Sequence, residues 1–329
     1  MRKNLFLLLI AVMAAIHVCA QEVEIATLQN GDDVQLFFGH DAFIDAMDAA
    51  ESGGVITLSP GRFNATDITK PVTIYGSGYE TKADSLSVAE GKALYPTILY
   101  GDLDISLDSL QQQTNHLYVE GIYFNGDILN VRYLRNATFI KCLFSSRIGS
   151  NVESYNNFIT QCRISYLSPS HFCTLNISNS IIKYIYGSST NLLIQNSLIF
   201  KGESLLATLK NSIMLINASI NEKCSFYNCM LPKGSGPDLQ GNWREEKISK
   251  ILFGRDEISY NDTSTYELTE DAKKIYLGTD GTQIGIYGGS QPFSTKLTIP
   301  RVVKRNIADK TEAGKLRVNI EVESGDESF

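Results

Sequence analysis

Between Phe139 and Leu231 the chain repeats one short phrase six times: apolar, any, polar, Cys or Ser, any, apolar. The copies are Phe139-Ile140-Lys141-Cys142-Leu143-Phe144, Ile159-Thr160-Gln161-Cys162-Arg163-Ile164 and Ile177-Ser178-Asn179-Ser180-Ile181-Ile182. They continue with Ile194-Gln195-Asn196-Ser197-Leu198-Ile199, Leu209-Lys210-Asn211-Ser212-Ile213-Met214 and Phe226-Tyr227-Asn228-Cys229-Met230-Leu231. The Cys/Ser positions fall 20, 18, 17, 15 and 17 residues apart. A unit this short excludes two-helix repeats and propeller blades, which need about 33 residues or more. Its β-branched and aromatic residues, punctuated by polar ones, predict short strands. One such unit cannot bury its apolar face alone, so the units must stack.

The economical stack is a parallel β-helix, one unit per coil, with neighbouring coils about 4.8 Å apart. Asn179, Asn196, Asn211 and Asn228 then line up at one corner, where Asn tolerates the left-handed backbone that a sharp bend requires. Their amides are expected to form a ladder, each donating to one neighbouring coil and accepting from the other. The adjoining Cys or Ser is small enough to point into a narrow core. On these residues the chain resembles the secreted right-handed parallel β-helix proteins of the pectate-lyase-like superfamily. That resemblance implies an all-β, right-handed solenoid and leaves the activity open, because lyases, hydrolases, isomerases and binding proteins share the fold.

Around the repeat, residues 40–52 read as a helix capped at Asp41, with Phe43, Ala46, Met47 and Ala50 on one face and Gly53-Gly54 as its stop. The helix is expected to cover the first coil, whose open edge would otherwise invite aggregation. The strand Val55–Leu58, then Pro60-Gly61-Arg62-Phe63, follows. Residues 79–115 read as an acid-rich, loop-rich insertion with one strand, Thr97–Tyr100. The repeat phrase breaks at Pro232, and the run Gly278–Gly289 closes the solenoid near residue 290. This closing run resembles the ending of secreted β-helix proteins of a Bacteroidetes-type group. In the tail, residues 291–329, Leu316, Val318, Ile320 and Val322 alternate with polar residues as a half-buried strand. It is expected to dock on the solenoid; pairing with a partner's strand is the alternative.

Residues 1–20 carry a charged start, Arg2-Lys3, an apolar core from Leu5 to Ala15, and Val18-Cys19-Ala20 before Gln21. They read as a secretory signal, which makes residues 21–290 the solenoid of an exported protein; lipidation at Cys19 is the minor alternative. No later segment is apolar enough to span a membrane. A net charge of −7 over 329 residues argues against nucleic acid, which wants a basic face. With 43% hydrophobic residues the chain can fill a large core. Beyond the leader, the odd set Cys142, Cys162, Cys173, Cys224 and Cys229 is not a disulfide framework. Stacked free thiols are expected at Cys142 and Cys162, and a structural role at His171.

Candidate chemistry is sparse. From Ile128 to Asn221 there are two acids, Glu153 and Glu203, roughly three coils or about 14 Å apart along the axis. A glycosidase wants its two carboxylates at about 5 to 10 Å. A lyase on this fold wants an Arg or Lys base and often Ca²⁺. Asp102 and Asp104, with Asp127 on the next coil, are the candidate Ca²⁺ ligands. Arg132, Arg135, Arg147 and Arg163 offer a basic stripe, and Tyr133, Tyr155, Tyr184 and Tyr186 offer rings for stacking on sugars. The expected function is binding of a glycan or other cell-surface polymer along the solenoid's side, without catalysis. The alternatives are a polysaccharide lyase or glycoside hydrolase with its site in residues 80–127, and a purely structural surface protein.

Overall fold

The computed structural model describes residues 24–80, 96–169, 174–217, 224–232, 241–244, 248–255, 258–261, 264–307, 315 and 318–325. Residues 1–20, read as a secretory signal from the sequence, and His171 and Cys173 lie outside these residues. The chain is a parallel β-solenoid of about eight turns. It opens with an antiparallel hairpin, β1 (Ile25–Asn30) and β2 (Asp33–Phe38), turned at Gly31 with φ of 61°. β1 also pairs antiparallel with β3 (Val55–Leu58); from β3 onward every pairing in this sheet is parallel.

One ladder follows the predicted phrase. Ile74, Val119, Phe139, Ile159, Ile177, Ile194, Leu209 and Phe226 stand in register on successive coils, each almost wholly buried. Alternation along the strand puts these residues inside, and each contributes about 1.5–3 kcal/mol by leaving water. Phe124 and Phe144 stack within the same core, 4.9 Å apart.

The corner is left-handed at every copy, as the asparagines predict. Asn179, Asn196, Asn211 and Asn228 have φ of 45°, 44°, 53° and 50°, and Lys141 and Gln161 share the conformation at 52°. The amide ladder is not where it was expected. Asn179 donates to the carbonyls of Ile286 and Gly288, Asn211 accepts the N–H of Thr279, and Asn228 donates to the carbonyl of Leu277. Gly289 lies so close to Asn196 that a Cβ there would sit 2.3 Å from its Nδ2. The corner side chains therefore point out of the coil and clamp a later segment, residues 277–292, that runs back along them. A side-chain Asn ladder does exist at a different corner, where Asn156 donates to Asn136 at 2.7 Å.

The intercoil ladder at the phrase itself belongs to the thiols and hydroxyls. The N–H of Cys142 donates to Cys162 Sγ, that of Cys162 to Ser180 Oγ, that of Ser180 to Ser197 Oγ, and that of Ser197 to Ser212 Oγ. Each side chain in turn donates to the carbonyl two residues earlier, as in Ser180 to Ser178 and Cys142 to Ile140. A single heavy atom that both donates and accepts satisfies two buried main-chain groups per coil, which is why only Cys or Ser fits. Cys142, Cys162, Cys224 and Cys229 are buried thiols that form no disulfide. Burial pushes the Cys229 thiol up to about 11, so it stays protonated and inert.

Several boundaries differ from the sequence reading. The first helix, α1, spans Ala42–Ala49 and buries Ala42, Phe43, Ala46 and Met47. Asp41 makes no capping bond; its carboxylate instead accepts from Asn64 Nδ2 at 2.7 Å. Within 79–115, Thr97–Tyr100 and Leu103–Ser106 are ordinary members of the parallel sheet, while 81–95 lies outside the described residues. After Pro232 the stacking resumes, Trp243–Arg244 pairing parallel with Met230–Leu231. A second helix, α2 (Glu270–Ile275), capped by Thr269 Oγ1 on the N–H of Ala272, was not foreseen. The tail strand Val318–Glu323 pairs antiparallel with Arg301–Ile307 of its own chain, and Val318, Ile320 and Val322 stay exposed. Docking on the solenoid was the expectation; the strand pairs instead with another segment of the tail.

The fifth phrase position faces outward and is apolar in five copies. Ile181, Leu198, Ile213 and Met230 form one column, and with Phe200 and Leu215 they pack under Ile251, Leu252, Tyr266, Leu268, Ala272, Ile284, Ile286 and Phe293. This second core, outside the coil, is sealed by the C-terminal third of the chain.

Candidate functional site

Three residues beyond that covered column the strands carry a second outward column that is left open. Register aligns Arg147, Tyr166, Tyr184, Lys201 and Ile216 on successive coils. An extra residue at Ser145–Ser146 shifts the register in the first of these coils. The Tyr166 and Tyr184 rings lie 4.8 Å apart, one coil step, and Lys201 Nζ sits 5.0 Å from the Tyr184 ring centre. A shallow open groove of about 380 Å³ runs here, lined by Asp127, Ser145, Ser146, Arg147, Ser165, Tyr166, Lys183 and Tyr184. Its surface offers two half-buried rings, two cations at Arg147 and Lys183, and a row of serine hydroxyls, with Lys201 beside the Tyr184 ring on the next coil.

The acids of the groove are committed. Asp127 accepts hydrogen bonds from the Ser146 hydroxyl and the N–H of Arg147, with the Arg147 guanidinium 3.8 Å away. These contacts, the Ser146 bond foremost, hold its carboxyl below the usual range. Glu203 accepts from the Tyr184 hydroxyl and lies 3.5 Å from Lys201 Nζ. The Tyr184 bond lowers the Glu203 pKa, and the same bond raises the Tyr184 phenol to about 12.

The remaining candidates separate. Asp102 and Asp104 do face outward together, as their alternation implied, but each ties its coil to the next. Asp102 accepts the N–H of Asp127, and Asp104 accepts the N–H and side-chain amide of Asn130. The N–H of Asp104 donates in turn to Asp67. Asp102 and Asp104 on one coil, and Asp127 on the next, therefore serve as main-chain acceptors and do not form a set of Ca²⁺ ligands. Among the described residues no group of three His, Cys, Asp or Glu side chains could hold a metal ion. Among the same residues no helix is long and apolar enough to cross a membrane.

Arg163 leaves the proposed basic stripe. It occupies the fifth phrase position, in line with Leu143 and Ile181, and is 3% exposed beneath the C-terminal cover. Its Nη2 donates to the carbonyl of Ser264 at 3.0 Å, its Nε lies 3.5 Å from Glu80, and its guanidinium sits 5.4 Å from the Phe293 ring centre. It is a buried tie between solenoid and cover. Tyr184 lies in the groove, and the exposed Tyr186 continues outward from it past buried Ile185. Arg132, Tyr133, Arg135 and Tyr155 gather elsewhere, beyond the far end of the strand Ile128–Arg132, whose five residues span about 17 Å. There Arg135 lies over the Tyr155 ring at 5.9 Å, and Gln112 donates to the Tyr133 carbonyl while accepting the Arg135 N–H. Glu153 belongs to this corner, with φ of 51°, while Glu203 belongs to the groove, so the two acids do not form a pair.

Sequence reasoning missed Lys183 and Lys201 and gave Tyr166 no special weight. The signal was present: Tyr166, Tyr184 and Lys201 each stand three residues after the fifth phrase position. Comparison of this chain with family models, curated proteins and solved structures finds no match.

Proposed function

We propose that this chain is an exported, non-catalytic binder of an acidic glycan, which lies along the solenoid axis in the Arg147–Lys201 groove. The observation that carries the reading is the Tyr166–Tyr184 ledge with Arg147, Lys183 and Lys201 around it. Sugar rings present apolar faces that stack on phenols, and carboxylate or sulfate groups on the same polymer pair with the cations. The column advances about 4.8 Å per coil, so an extended polymer meets a new side chain at each step. The acids support binding over glycosidase cleavage. A glycosidase needs one carboxyl that keeps its proton near neutral pH, whereas Asp127 and Glu203 are both held ionised by their hydrogen bonds.

Titration of the purified protein with uronic-acid or sulfated polysaccharides and with a neutral polymer tests this. Acidic polymers are expected to bind, with affinity falling as salt rises. Tyr184→Ala should weaken binding about 3- to 10-fold, in proportion to the roughly 0.5–1.5 kcal/mol of an aromatic contact. Equal affinity for neutral and acidic polymers, or new reducing or unsaturated ends after incubation, would sink the reading.

A further inference from the structure

The open column carries its charges in an order. Leu103, Ile128, Ile148, Leu167, Ile185 and Gly202 stand in register on successive coils. The residues just before them are Asp102, Asp127, Arg147, Tyr166, Tyr184 and Lys201. Two carboxylates therefore head the column, two rings fill its middle and a cation closes it. Along the groove and its rim three cations face two carboxylates. Asp127 lies 3.8 Å from the Arg147 guanidinium and is fixed by the Ser146 hydroxyl and the Arg147 N–H. Glu203 lies 3.5 Å from Lys201 Nζ and is fixed by the Tyr184 hydroxyl. Adjacent opposite charges cancel at a distance, so each pair offers a ligand little net attraction. Lys183 differs. It is exposed in the groove and among the described residues makes no ion pair. Its Nζ sits 5.3 Å from the Tyr260 ring centre, a contact that leaves its charge uncancelled.

We propose that Lys183 is the residue by which the groove tells an acidic glycan from a neutral one, and that the glycan it takes carries its acidic groups sparsely. This rests on the glycan-binding reading above and narrows it. Lys183 and Tyr184 are neighbours on one strand, so a sugar stacked on the Tyr184 ring brings its own or an adjoining acidic group to Lys183. A second acidic group placed toward the N-terminal coils meets Arg147 already paired with Asp127, and past it Asp102. One placed toward the C-terminal coils meets Lys201 already paired with Glu203. Arg147 and Lys201 stand three coil steps apart, about 14 Å along the axis. One uncancelled positive charge serves that whole length. A dense polyanion gains nothing from its extra charges there and is repelled at the end headed by Asp102 and Asp127.

Carboxymethylcelluloses of matched chain length, with hydroxyethylcellulose as the neutral member, test this by calorimetric titration of the full chain. The sparse member carries about one acid per three sugars, to match three coil steps, and the dense one about one per sugar. Affinity is expected to rise from the neutral to the sparse polymer and no further at the dense one. Lys183→Gln should bring the sparse polymer down to the affinity of the neutral one, a loss of about 5-fold or more, with the circular dichroism spectrum unchanged because the residue is exposed. Lys183→Arg should keep the preference for acid, since it keeps the charge. Glu203→Gln uncovers Lys201 and should turn the preference toward the dense polymer. If acidic polymers outbind the neutral one but affinity climbs in step with charge density, or Lys183→Gln keeps the preference, the inference falls and the glycan-binding reading stands. If no acidic polymer outbinds the neutral one, both fall.

Discussion

Two columns of outward side chains, three residues apart on the same strands, meet opposite fates. Ile181, Leu198, Ile213 and Met230 are sealed under the chain's own C-terminal third, while Arg147, Tyr166 and Tyr184 line an open groove with Lys201 beside it. The backbone is nearly the same in both places. The side chains make the difference: an apolar column of this length cannot stay in water, and an amphipathic one can. A solenoid wall therefore declares in its own sequence which side the chain covers and which side it leaves open.

The contrast should be largest on a single strand. Ile213→Ala removes a side chain that is 1% exposed and is expected to cost about 2–5 kcal/mol in urea unfolding. Ile216→Ala, three residues on and 38% exposed, should cost about 1 kcal/mol or less. Similar costs at the two positions would erase the distinction between the covered wall and the open one. The clamp that holds the cover comes next. Asn179→Ala loses both bonds to the 286–288 carbonyls and places Ala at φ of 45°, for about 2–4 kcal/mol in total. Asn179→Gly keeps the backbone free of strain and should recover about 1–2 kcal/mol of that loss, so the pair of variants separates corner from clamp.

The smallest effect is confined to the open wall. The Tyr184 phenol should titrate at about 12 by ultraviolet difference spectroscopy, and Glu203→Gln should bring it back toward the ordinary value near 10. A raised acid pKa means the folded state holds its proton longer than the unfolded one. This bond's contribution to stability is thus fully present between about pH 4.5 and pH 10; it fades as pH climbs through 12 and also as pH falls through the lowered Glu203 pKa. Unchanged titration in Glu203→Gln would detach the carboxylate from the groove.

The stacking, its spacing, the left-handed corner and the inward Cys or Ser could all be read from the chain, because each is a local demand repeated at every coil. What could not be read were partners far along the sequence. Asn179 reaches a carbonyl 107 residues away, and nothing in its own phrase says whether its amide will serve a neighbouring coil or a returning segment. Arg163 is the instructive miss. It was counted in a basic stripe, yet its column reads Leu143, Arg163, Ile181, Leu198, Ile213, Met230, and an outward position that is apolar in five copies of six announces a cover. Once the register is laid out, an Arg in such a column has to be a buried, paired residue. The groove was partly foreseen through Tyr184, but Asp102, Asp104 and Asp127 misled. Carboxylates alternating on a strand look alike whether they wait for a cation or for the amide of the next coil.

The late position of the sealing segment has a consequence for biosynthesis. Ile284, Ile286 and Phe293 leave the ribosome only after every coil they protect. Until then a growing rod carries a bare greasy stripe, and a message cut short near residue 245 would encode a sticky product and not merely a stubbier one.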